Sequence, residues 1–129
     1  MAQPQIGRPG IESLHHVAIT VHDLSAAVAF YSEILGLAEL EAPAAALENG
    51  IRWFDLGNGR ALHLVRTDEA VSGGRAHFAI TVDDIKGWRA FVEERGIEVQ
   101  APRLELYGAE RFFMRDPSGN LLELVKWLD

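Results

Sequence analysis

The chain has 129 residues, 48% hydrophobic and 24% charged, with no cysteine and a formal charge of −7 from 12 basic and 19 acidic residues. That size suits one compact domain, and the composition excludes wholesale disorder, while the lack of cysteine excludes a disulfide scaffold, a thiolate zinc site and a thiol nucleophile. No apolar run nears the roughly 18 residues that cross a bilayer, no signal-peptide pattern opens the chain, and no basic run offsets the acidity. The expectation is therefore a cytoplasmic protein that acts on a small molecule or on another protein, with no nucleic acid and no membrane.

In chain order, residues 1–10 read as a flexible tail. His16 to Val21 alternates as a strand, with Val17, Ile19 and Val21 on one face and His16, Ala18 and Thr20 on the other. Asp23 then suits a helix N-cap, Leu24, Val28, Tyr31 and Leu35 make an apolar stripe, and Gly36 suits the stop. Strand-like pieces follow at 37–41, 51–55 and 60–66, the last two joined by an Asn58-Gly59 hairpin turn, and 67–74 is a linker. The order then recurs. His77 to Val82 alternates as a strand, Asp84 suits a cap, Ile85, Trp88, Phe91 and Val92 form a helical stripe, Gly96 suits the stop, and strands are expected at 98–101, 110–115 and 121–126 around an Asp116-Pro-Ser-Gly119 turn. Tyr31, Trp88 and Phe91 are read as core. The loop 104–108, which holds Tyr107, either lines a pocket or covers an edge.

The recurrence is also literal. His16-Val-Ala-Ile-Thr-Val-His-Asp-Leu24 matches His77-Phe-Ala-Ile-Thr-Val-Asp-Asp-Ile85 at an offset of 61, and 58–65 echoes 118–125 at an offset of 60. Two βαβββ modules, 13–66 and 75–127, therefore build a single domain. If Leu62, Leu64, Leu122 and Leu124 face the helices, then His16, His63, His77 and Glu123 share the opposite face of the sheet. Taken singly, each is equally a solvated or half-buried strand residue. Their repeat-related positions point instead to joint binding of a divalent metal such as iron, zinc, nickel, manganese or cobalt, gathered in the concavity of a curved sheet. His15 and His22 lack this parity and read as structural or solvent-facing.

With Ala29-Phe-Tyr-Ser-Glu-Ile-Leu-Gly-Leu37 and Phe113-Met-Arg-Asp-Pro-Ser-Gly-Asn-Leu-Leu-Glu-Leu-Val125 added to these stretches, residues 13–127 resemble the vicinal oxygen chelate superfamily, the glyoxalase, bleomycin-resistance and extradiol-dioxygenase group. The resemblance implies an α+β fold in which paired βαβββ modules form an open, cupped, eight-stranded mixed sheet with helices on its outer face, commonly as a homodimer. It implies His16, His77 and Glu123 as metal ligands. His63 stands where glyoxalase I carries a glutamate and the methylmalonyl-CoA epimerases a glutamine, so it is a fourth ligand or an acid/base group, and Tyr107 is a candidate hydrogen-bond donor or acid. The implied activity is that of a metal-dependent lyase, isomerase or dioxygenase chelating vicinal oxygens of its substrate. The alternative is a metal-free, ligand-sequestering protein of the bleomycin-resistance type.

Overall fold

The computed structural model describes residues 7–71, 74–105 and 108–128. In chain order these form β1 (His16–Val21), α1 (Leu24–Ala29), β2 (Glu39–Leu40), α2 (Ala44–Glu48), β3 (Ile51–Gly57), β4 (Arg60–Arg66), β5 (His77–Thr81), α3 (Ile85–Glu94), β6 (Ala109–Arg115) and β7 (Leu121–Trp127). The fold is α+β, and each module supplies its own sheet, ordered β1-β4-β3-β2 in the first and β5-β7-β6 in the second. The first strand of each module runs parallel to the last, and the other pairings are antiparallel.

The repeat is visible in how the elements begin and end. Asp23 and Asp84 accept hydrogen bonds from the backbone N–H groups of Ala26 (3.0 Å) and Gly87 (2.9 Å), so both caps satisfy a donor that the first helical turn would otherwise leave unpaired. Gly36 and Gly96 stand beyond the two helices at φ of 70° and 77°, a conformation that a Cβ would strain. The modules then diverge. After Ala29 the first helix widens into a π-turn over Phe30–Ile34, in which the Leu35 N–H reaches the Phe30 carbonyl at 3.1 Å.

The expected eighth strand, 98–101, is reduced to a bridge. Gln100 exchanges both backbone hydrogen bonds with Phe113, at 2.8 and 2.9 Å, and Pro102 ends the pairing two residues later because it has no N–H to offer. Its counterpart β2 holds only two residues, with Pro43 three residues further on. The described residues thus form a four-stranded and a three-stranded sheet rather than one sheet of eight. Residues 44–48, between β2 and β3, close into one helical turn.

One core joins the modules. Tyr31, Phe54, Leu62 and Leu64 pack in the same cluster as Phe112, Met114, Leu122 and Leu124, all essentially inaccessible to solvent. At its polar centre the Tyr31 hydroxyl donates to Asp116 Oδ2 at 2.7 Å, while Asp116 Oδ1 accepts from the N–H groups of Ser118 and Asn120, each at 2.9 Å. Burial, reinforced by the Asp116 carboxylate, pushes the Tyr31 phenol far above its ordinary value and keeps it a proton donor. The Asp-Pro-Ser-Gly turn is therefore an inter-module joint as well as a hairpin.

Candidate metal centre

Strand parity places the four candidate donors as expected. Leu62, Leu64, Leu122 and Leu124 are fully buried on the core side, while Ala18, Thr20, Ala79 and Thr81 are exposed on the other face, beside the donors. The register repeats too. Ala18 pairs with His63 and Ala79 with Glu123, and on the far side Trp53 pairs with His63 and Phe113 with Glu123. A small alanine on one neighbouring strand leaves room for the donor to lean toward the histidine that opens that strand.

In the first module the His63 ring lies between two others. It stacks on His16 with centroids 4.0 Å apart at 14°, and on Trp53 at 4.6 Å and 11°. Burial, then the neighbouring His16 and His15, hold the His63 imidazole below the ordinary histidine value, so it stays neutral and keeps a lone pair for a metal. His15 Nδ1 lies 2.9 Å from His16 Nδ1, and the Trp53 indole N–H is buried with no acceptor among the described residues.

The second module is built on charge. His77 Nδ1 lies 2.8 Å from the Arg75 carbonyl, which can only accept, so Nδ1 carries a proton and directs Nε2 inward. Nε2 meets Glu123 Oε1 at 3.0 Å, and Arg111 Nη1 approaches Glu123 Oε2 at 3.4 Å. Glu123 is only 6% exposed, with His77 and Arg111 as its polar neighbours. A nitrogen and a carboxylate oxygen 3.0 Å apart have the separation of two adjacent ligands, each about 2.1 Å from one ion, so this donor pair fits a divalent metal.

One chain gathers the four donors as two pairs. Asn120 Nδ2 donates to the Thr20 carbonyl at 2.8 Å, and Leu121, the next residue, pairs with His77. His77 therefore sits by the far end of β1, and four residues at about 3.3 Å each separate that end from His16. The groove between β1 and β5 is lined by His16, Val17 and Asn58 on one side and by Phe78, Ala79 and Thr81 on the other. The two pairs stay apart, and no group of three or more histidines and carboxylates suited to a metal occurs among the described residues. Tyr31, Asp116 and Asn120 tie the modules together by their core sides and strand ends.

Residues 13–124 match the model of the Glyoxalase/Bleomycin resistance protein/Dioxygenase superfamily. The chain belongs to this superfamily. It is 30% identical over 126 residues to the uncharacterized Escherichia coli (strain K12) protein YaeR, covering 91% of this chain and 98% of that protein. It is also 32% identical over 127 residues to mitochondrial methylmalonyl-CoA epimerase of Bos taurus, covering 86% and 72%. Among solved structures, a Bacillus anthracis protein assigned to the glyoxalase family superposes with a TM-score of 0.83 at 27% identity, covering 93% of this chain and 98% of that one.

For this superfamily member, Tyr107 lies outside the described residues. His22 contacts the Glu69 carbonyl through Nε2 at 2.7 Å, and its N–H donates to Ser118 Oγ, in keeping with a structural reading. Two neighbours of the donors were not singled out from the sequence. In the sequence Trp53 stands only as half of an aromatic pair, Trp53-Phe54, that Phe112-Phe113 echoes, and Arg111 breaks the repeat, standing where the first module has the apolar Ile51, on a face shared with Glu123. A basic residue in an otherwise duplicated apolar position is the signal that would have found it. No described helix is long and apolar enough to cross a membrane.

Proposed function

We propose that this chain is a metal-dependent enzyme acting on a small molecule, a lyase, isomerase or dioxygenase of its superfamily, with His16, His77 and Glu123 as ligands and His63 as the fourth ligand or an acid/base group. The observation that carries this reading is the second-module pair: a histidine whose Nδ1 is fixed by a backbone carbonyl, its Nε2 3.0 Å from a buried carboxylate oxygen. A divalent ion there would polarise vicinal substrate oxygens and stabilise negative charge developing on them.

The site is completed by a second copy of the chain. Within one chain the pairs stay apart, and a twofold-related partner would bring the first-module pair of one protomer to the second-module pair of the other. Exposure of Ala18, Thr20, Ala79 and Thr81 on the donor face, together with Ile11 and Leu14, supports a covered surface in the assembly. Elemental analysis of untagged protein reconstituted with iron(II), nickel or zinc tests the reading: close to one ion per chain is expected. Less than about a tenth of an equivalent with every metal would remove it and leave ligand sequestration in its place.

A further inference from the structure

Beside the His77–Glu123 pair lies a cavity of about 390 Å³, bounded by the start of β5, residues 100–104 and β6. The chain is acidic, yet among the described residues the ionisable side chains lining this cavity are Arg75, Arg103, Arg111, Arg115 and His77, with no aspartate or glutamate. Four of its ten arginines are thus collected in one concavity. Glu123 offsets one of these charges from behind, through Arg111 and His77. Arg111 is only 12% exposed, is anchored on the Leu104 carbonyl, and has a buried Nε with no partner among the described residues. Arg115 donates to the Gly119 carbonyl at 2.8 Å. Arg75 and Arg103 are exposed at the mouth, and neither has a carboxylate within ion-pair distance among the described residues.

Exposed arginines scattered over a surface are ordinary, but like charges converging on a partly apolar hollow repel one another unless an anion enters. We propose that this cavity binds an oxyanion group, carboxylate or phosphate, carried by the small molecule whose reacting oxygens reach the His77–Glu123 pair. Arg75 and Arg103 offer planar forks of N–H donors to the incoming oxygens, and Phe113 and Leu104 offer apolar surface to the carbon chain between the anionic and reacting ends. The proposal names the substrate class for the enzyme reading above and rests on it for the role of His77.

Calorimetric titration of the metal-free, full-length protein with malonate and with inorganic pyrophosphate, at about 20 mM ionic strength, tests the cavity without requiring a metal. At least one probe should bind, and the exposed pair substituted together, Arg75→Gln with Arg103→Gln, should weaken it about tenfold or more. Arg89→Gln, on the exposed face of α3, should leave binding unchanged. Preference for malonate assigns a carboxylate substrate and preference for pyrophosphate a phosphorylated one. Failure of both probes, unchanged binding in the double variant, or an equal loss in Arg89→Gln overturns the proposal. Nickel uptake by the unaltered protein is measured separately, so a protein that binds anions through Arg75 and Arg103 but takes up no metal would sink the metalloenzyme reading and keep the anion site.

Discussion

The two modules share a strand order, caps and register, yet their halves of the candidate site are built by different physics. The first half is a neutral stack in which His63 is sandwiched by His16 and Trp53 and burial suppresses its protonation. The second is a charged, hydrogen-bonded set in which a backbone carbonyl orients His77, and Glu123 is held between His77 and Arg111. Duplication thus fixes where donor side chains stand, because pairing register and parity are backbone properties. What each position does is left to its neighbours on the next strand, here an indole in one module and a guanidinium in the other.

That contrast predicts unequal consequences for equivalent changes. Glu123→Gln removes the sole carboxylate of the site and should lower metal affinity by about a hundredfold or more, more than altering a residue that merely supports a ligand. The equivalent first-module change, His63→Gln, keeps a neutral donor atom and should cost no more than about tenfold, both read by competition with a chromophoric chelator. Equal losses would show that the halves are interchangeable after all.

The joint between the modules offers the next break. Tyr31→Phe removes the buried hydroxyl donor to Asp116 Oδ2, leaving Asn120 Nδ2 as its remaining side-chain donor, and should destabilise the fold by about 1–3 kcal/mol, seen as a lower midpoint in urea with an unchanged slope. A split into two transitions would mean that the modules are not one cooperative unit. The smallest effect concerns pH. In metal-free protein the His63 imidazole should titrate below the ordinary value of about 6.5, and substituting Trp53 by alanine should move it back upward by relieving its burial. In the window just below that value the folded state binds fewer protons than the unfolded one, so the contribution of His63 to stability is present at higher pH and fades as pH falls through its depressed value. An NMR titration that places His63 at or above the ordinary value would contradict the stacked, desolvated environment.

Much of this was legible in the sequence, for identifiable reasons. Alternation of Val17, Ile19 and Val21 against His16, Ala18 and Thr20 set parity, and parity put all four donors on one face; the Asp caps and the glycine stops marked the helices. The edge strands expected at 37–41 and 98–101 are shorter in the structure, the second ending just before Pro102, which has no N–H to pair. The separation of the donors was not legible, because it depends on contacts far apart in sequence, Tyr31 with Asp116 and Thr20 with Asn120, which no local pattern encodes. Arg111 was hidden for a similar reason. Its meaning comes from the strand beside it, where Glu123 lies.

The claim that each metal centre draws one pair from each of two chains is tested most directly by mixing two variants, one lacking His16 and His63, the other lacking His77 and Glu123. Neither alone should bind nickel. After exchange of protomers, each mixed dimer regains one complete site, so binding should return to about a quarter of an equivalent per chain for random pairing. A mixture that stays as empty as its components, while the unaltered protein binds nickel fully, would contradict the two-chain site.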